Sequence, residues 1–391
     1  MYESGLDVFL KQDCKKYRDM RLGVLCNQAS VDRDLIHISQ AILRKSLGLQ
    51  VTCFFGPQHG IRGEKQDNMV ESEDFVDPVS QLPVISLYAS SREPSEAVVN
   101  KLDAFIIDLQ DIGTRIYTFM YTMANCMRAA KKFGKKVIVL DRPNPINGVS
   151  TEGNVLKSDF TSFVGQFPIC ARHGMTMAEL ALLFNDAFGI GCDLEVVRMR
   201  GWKRTFFADD LKRDWIPPSP NIPNLISALV FPGCVLFEGT NVSEGRGTTH
   251  PFEWIGAPFI NPDKLAYEMN GIKLPGVYFR PIYFQPTYQK CMGNVCGGVQ
   301  LHIVDRRKFN SFQGGIQLLA KIAEMYPDSF QWKDPPYEYE HDRMPIDLIA
   351  GTSKLREDIE QGKEVRKFEM MAEEQLRAFR KLRANYLIYK Q

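Results

Sequence analysis

Side chains able to move protons or hold anions crowd into a few short stretches of this chain. The densest is Phe54–Ser72, FFGPQHGIRGEKQDNMVES. There Gly56 and Pro57 end a largely apolar run, and Gln58, His59, Arg62, Glu64, Lys65, Gln66, Asp67 and Asn68 follow. This change of character reads as a strand ending in a functional loop; a solvated surface loop has the same composition. Three further stretches share it: NQAS with Asn27, QDIGTRIYT with Asp111, Arg115 and Tyr117, and DRPNP with Asp141, Arg142 and Asn144. Downstream, His173 precedes Thr176 and Glu179, which are spaced as a capping box, so it lies just before a helix N-terminus where an anion is favoured. Asn221 stands among Pro217, Pro218, Pro220 and Pro223, on a rigid extended path. The loop EGTNVSEGRGTTHPFE then offers Glu238, Asn241, Glu244, Arg246 and Thr248, with glycines that let backbone approach a ligand. Carboxyls and imidazole suit general acid–base work, and guanidinium suits a carboxylate or phosphate.

The elements that must position these groups alternate. Apolar runs RLGVLC, VTCFF, LPVISLY, KLDAFIIDLQ, KKVIVL and CDLEVVRM are separated by helical patterns over Leu35–Leu47, from Pro94 and Glu96, and over Tyr117–Phe133. Strands without clean alternation, separated by helices, predict a parallel sheet covered on both faces, with ligands outside the carboxyl ends of its strands. The polar stretches sit at those ends, so a shared pocket is expected. After Pro258 the texture changes to short aromatic and β-branched runs broken by Pro and Gly, followed by helices at Phe312–Met325 and Lys354–Tyr389. The fold class is therefore α/β. A Rossmann-like parallel-sheet domain is expected over residues 1–245, with a smaller α+β domain over residues 246–391 closing the cleft.

Composition excludes several functions. Lys plus Arg at 48 against Asp plus Glu at 47 gives a net charge of +1, and so no global field toward nucleic acid or an anionic membrane. No run reaches the ~18 apolar residues of a membrane span. The first strand's loop lacks GxGxxG, and GIRGEK lacks the Walker spacing, so no nucleotide cofactor is expected. Cys291 and Cys296 near His302 match no standard zinc spacing, so no metal is expected either. Nine cysteines without a framework suit a reducing compartment, and the start MYESGLDVFLKQD has no secretory pattern; the expectation is a cytoplasmic protein, of oligomeric state left open.

Taken together, GLDVFL, FGPQHGIRGE, DLQDIGTRIYTF, VLDRPNP, RHGMTMAELA, PPSPNIP, EGTNVSEGRGTTHPFE and FRPIYFQPTY resemble the family of exo-acting β-N-acetylmuramidases, formerly a domain of unknown function. The resemblance covers nearly the whole chain. It implies release of N-acetylmuramic acid from the non-reducing end of small peptidoglycan-derived saccharides, and a Rossmann-like domain beside a smaller one. In that pattern the loop reads PEHG and its glutamate looks like the catalytic acid, whereas this chain carries Gln58. An amide donates no catalytic proton, so another carboxylate is required: Glu64 is nearest in sequence, with Asp111, Glu238 and Glu244 in reserve. Gln58 would then orient water or the acetamido group. Arg115, Arg142 and Arg246 are the expected partners of the lactyl carboxylate, or else loop anchors paired with Asp111, Asp141 or Glu244. Two alternatives stay open: a muramyl-sugar-binding protein with impaired catalysis, and a transferase acting on a phosphorylated or nucleotide-linked sugar.

Overall fold

Six apolar runs become the parallel part of one sheet. The computed structural model describes residues 2–66, 71, 73–89 and 91–390; Asp67 and Asn68 of the expected loop lie outside the described residues. The strands are β1 Arg21–Cys26, β2 Gln50–Gly56, β3 Phe75–Val76, β4 Pro83–Ser86, β5 Ala104–Asp108, β6 Lys136–Leu140, β7 Glu152–Val155, β8 Cys170–Arg172, β9 Asp193–Val197, β10 Trp254–Ala257, β11 Val277–Phe284 and β12 Cys296–Ile303. The large sheet has the order β3-β4-β2-β1-β5-β6-β9, parallel except for the edge strand β3. Its order reverses beside β1, because the chain runs outward through β2 and β4 and then returns to β5. Smaller antiparallel sheets are β10-β12-β11 and β7-β8.

Both faces of the large sheet are covered, which explains why its strands are apolar throughout. Leu22, Val24, Phe54, Ile106, Ile138 and Leu140 pack on one face with Leu6 and Phe9 of the N-terminal segment. Their neighbours Leu25, Phe55, Phe105, Ile107, Val137 and Val139 point the other way, toward the helices Phe119–Lys132 and Met177–Asn185. That alternation follows the two-residue period of a strand. The helix Leu225–Cys234 joins the sheet domain to the C-terminal part. It crosses the helix Ser311–Met325 so closely that a Cβ on Gly233 would lie 1.9 Å from the Ser311 carbonyl oxygen.

The expected capping box forms: Thr176 accepts from Glu179 N at 3.3 Å, and Glu179 accepts from Thr176 N at 3.0 Å. Thr176 also donates to Asp141 Oδ2 at 2.9 Å. Thr176→Ala is therefore expected to lower stability by about 1–2 kcal/mol, seen as a fall in the urea midpoint with an unchanged slope. Two expected helices come out shorter. Leu35–Leu47 yields only the turns Ile38–Ala41 and Lys45–Leu47, and Lys354–Tyr389 divides into Lys354–Glu360 and Val365–Ala384.

Candidate active site

The structure gathers part of the expected set around a narrow pocket of about 40 Å³ at the carboxyl end of β2. Gln58 and His59 enter from the loop after β2, Tyr117 and Thr118 from the loop leading to the helix Phe119–Lys132, Ser219 and Asn221 from the proline-rich segment, and Glu238 and Arg246 from the glycine-rich loop. Tyr337 and Glu338 close it from a segment far along the chain.

Gln58 is fixed by three hydrogen bonds. Its Nε2 donates to Glu338 Oε1 at 3.2 Å and to the Tyr88 hydroxyl at 3.1 Å, and its Oε1 accepts from Thr118 Oγ1 at 2.7 Å. Tyr88 donates onward to Glu338 Oε2 at 2.6 Å. With the amide nitrogen facing Glu338, the Thr118 hydroxyl serves the amide oxygen. Burial lifts the Glu338 carboxyl above its ordinary value and the charge of Glu238 adds to this, against the bonds from Tyr88 and Gln58. His59 takes φ 72°, with Nδ1 at 2.7 Å from the Lys65 carbonyl; that oxygen only accepts, so the ring proton sits on Nδ1.

Glu238 lives in a different environment. It pairs with Arg246, and the Tyr337 hydroxyl donates to its Oε2 at 2.7 Å. Behind it, Glu244 lies 3.2 Å from Arg246 Nε and 2.6 Å from Lys290 Nζ. Burial pushes Glu244 up, but Lys290 and Arg246 outweigh it and leave the carboxyl below its usual range. The wall is thus a relay of alternating charge, Lys290–Glu244–Arg246–Glu238. Two carboxyls therefore share one pocket, with Glu338 biased toward its protonated form and Glu238 charge-compensated, which is the pattern of an acid and a base with divided roles. At the rim, Tyr288 donates to Asn221 Oδ1 at 2.8 Å and accepts from Gln66 Nε2 at 2.8 Å, tying three loops together.

Other expected residues are placed elsewhere, and each has a physical reason. Glu64 is exposed and folds back over Gly60, accepting from Arg62 N at 3.2 Å, so the carboxylate nearest in sequence is not on the pocket wall. Arg62 pairs with Asp77 at 2.7 Å. Asp111 accepts from Gly113 N at 2.5 Å and faces His173 Nε2 at 3.4 Å; His173 accepts from Met175 N through Nδ1, which leaves its ring proton on the Asp111 side. The helix N-terminus beside His173 does hold a carboxyl group, and it is internal: Asp141 accepts from Ala178 N at 2.8 Å and from the Tyr389 hydroxyl at 2.6 Å, while burial pulls its carboxyl up to about 7. Arg142 grips Asp108 at 2.5 and 2.8 Å rather than Asp141, and lines a separate crevice with Tyr2 and Trp215. Arg115 is fully buried, with its guanidinium donating to the carbonyls of Asn154, Ile169, Ile349 and Ala350. Asn27 donates to the carbonyls of Gln110 and Pro218, Asn144 to that of Met175 and Asn241 to that of Ser329, and Thr248 bonds the Gly245 carbonyl. These four hold loops.

Sequence reasoning missed Tyr88, Thr118, Ser219, Tyr337 and, above all, Glu338. The one signal was local: PPYEYEHD alternates tyrosine with glutamate after a rigid proline pair.

Comparison with known proteins adds to this geometry. A family model described as exo-beta-N-acetylmuramidase NamZ, N-terminal, matches residues 22–226, and its C-terminal counterpart matches residues 229–389. The chain is 41% identical over 387 residues to the peptidoglycan beta-N-acetylmuramidase NamZ of Bacillus subtilis (strain 168), covering 99% of this chain and 91% of that one. Two crystal structures of DUF1343 family proteins from Bacteroides fragilis NCTC 9343 superpose on all of it. One is 33% identical with a TM-score of 0.88, the other 27% with 0.75, and 99% of each is covered. No helix among the described residues is long and apolar enough to cross a membrane.

Proposed function

The chain belongs to the exo-β-N-acetylmuramidase NamZ family, and on that premise we propose that it is a glycoside hydrolase releasing N-acetylmuramic acid, or a related amino sugar, from the non-reducing end of small peptidoglycan-derived saccharides, with Glu338 as proton donor. The observation that carries this reading is the contact between Gln58 Nε2 and Glu338 Oε1 at 3.2 Å. Where the resemblance leads one to expect a glutamic acid, this chain has an amide of the same shape, whose nitrogen donates to Tyr88 and Glu338 but which has no acidic proton to give. The carboxyl it touches is buried and biased toward protonation. Glu338 would protonate the glycosidic oxygen while Glu238, paired with Arg246 and bonded by Tyr337, faces the developing oxocarbenium ion or activates water. Of the expected arginine trio, Arg246 is the one that lines the pocket, where it is paired with Glu238 and Glu244.

The Gln58 amide also favours a second reading, a muramyl-sugar binder without turnover. A chromogenic β-N-acetylmuramide and the matching glucosaminide separate the two. Turnover of the first alone supports hydrolysis, whereas calorimetric binding without turnover, with turnover appearing in Gln58→Glu, supports the binder. A donor must hold its proton, so kcat is expected to fall as pH rises through the elevated Glu338 pKa. Gln58→Glu puts a second carboxyl beside Glu338; like charges that close share one proton, so the basic limb of the kcat profile should move to higher pH by about one unit or more.

A further inference from the structure

None of the nine cysteines is in a disulfide, and Cys291 is the one that is not buried. It lies in the loop between β11 and β12, whose last cross-strand pair is Phe284 with Cys296. A turn closed by Asn294 N donating to the Cys291 carbonyl at 3.0 Å folds the loop back, and Cys291 packs against Cys296 in a small cluster with Ile282, Phe284 and Trp254. Each thiol donates to a nearby backbone carbonyl, Cys291 to that of Asn241 at 3.9 Å and Cys296 to that of Asn294 at 3.8 Å. We propose that Cys291 and Cys296 are an oxidation site, a dithiol that a hydroperoxide closes into an intramolecular disulfide and a thiol reductant reopens, with closure felt in the pocket through Lys290.

The chemistry needs one reactive thiol and one resolving thiol within reach. The neighbouring Cys296 thiol holds the Cys291 thiol down to about 7, and the Lys290 ammonium adds to this, so much of it is thiolate at neutral pH. Burial pushes Cys53 and Cys170 up to about 12, which leaves them unreactive. The Cys291 thiolate attacks one peroxide oxygen, the O–O bond breaks, and the second oxygen leaves as an alcohol or water, giving a sulfenic acid. The Cys296 sulfur then displaces that hydroxyl, its proton leaving with it as water. Two thiols and one hydroperoxide thus become one disulfide, one alcohol (or water) and one water.

The loop that moves is latched to the pocket. Lys290 Nζ donates to the Phe237 carbonyl at 2.6 Å and the Val242 carbonyl at 2.7 Å, and pairs with Glu244 at 2.6 Å; Tyr288 holds Asn221 at the rim. A covalent bond draws the sulfurs closer than any thiol contact, pulling Lys290 away from Glu244 and releasing Arg246, which Glu244 helps to hold.

The covalent half of this inference stands apart from the proposed function; the activity half rests on it. The full chain is treated with graded hydrogen peroxide and its peptides are mapped by mass. The expected first product is a Cys291–Cys296 cross-link, two hydrogens lighter, reversed by dithiothreitol and absent in Cys291→Ser. An earlier reaction at another cysteine, or higher oxidation of Cys291 without the cross-link, overturns the site. Turnover of the muramide should fall at least threefold on cross-linking, while Cys291→Ser keeps the basal rate and loses sensitivity to peroxide. Unchanged turnover in fully cross-linked protein overturns the link to the pocket. Were the reduced protein to show no turnover, the same comparison is made on N-acetylmuramic acid affinity by calorimetry, and an affinity unchanged by cross-linking overturns the link.

Discussion

Glu338→Gln is expected to lower kcat on a β-N-acetylmuramide by about a hundredfold or more, the usual cost of losing a general acid. The substitution preserves shape and can still accept one of the two bonds from Tyr88 and Gln58, so the fold and ground-state binding should survive, and KM should change little. A structural role would predict a loss independent of the leaving group. A proton donor predicts otherwise: aryl leaving groups of low pKa depart without protonation, so the deficit should shrink along a series from alkyl or sugar aglycones to nitrophenols. The basic limb of the kcat profile should vanish with the carboxyl. Turnover within a few-fold of the parent on the poorest leaving group would remove Glu338 from the mechanism and return the question to Glu238. Both carboxyls line the pocket, and Glu238 is the one paired with a cation, Arg246.

The sheet was legible because burial on both faces demands runs such as AFIID and KVIVL, and few other structures tolerate them. The Gln58 loop was legible for the converse reason, since so many polar groups after a buried strand need partners. Helix ends were less so. Lys354–Tyr389 keeps an amphipathic pattern throughout, yet Gly362 takes φ 61°, a conformation that ends a right-handed helix. Glu338 was invisible because its partner Gln58 lies 280 residues away, and no periodicity links a loop after one strand to a turn near the other end of the chain. The arginines show the reverse error. Arg115 and Arg142 stand beside Asp111 and Asp141 in loops that do border the functional edge, and charge alone cannot say whether a guanidinium points outward to a ligand or inward to the frame.

Arg142→Met should reveal which it is. The guanidinium meets Asp108 twice and also donates to the Val31 carbonyl at 2.9 Å, and Asp108 is fully buried at the end of β5. Removing the cation leaves a carboxylate with burial unopposed, which costs on the order of 3–5 kcal/mol at neutral pH. The sign of the pH dependence is specific. Burial already pushes Asp108 upward, and without Arg142 the folded state would keep it protonated over a range in which the unfolded chain, near pKa ~4, does not. The deficit relative to the parent should therefore be small below about pH 4 and grow as pH rises from there through the folded pKa. Adding Asp108→Asn, which needs no counter-charge, should recover part of the loss and flatten that dependence. A substrate clamp predicts a different result: a raised KM, an unchanged urea midpoint and no rescue by a change at Asp108. The two outcomes separate cleanly because one is read on the folded frame without substrate and the other only with it.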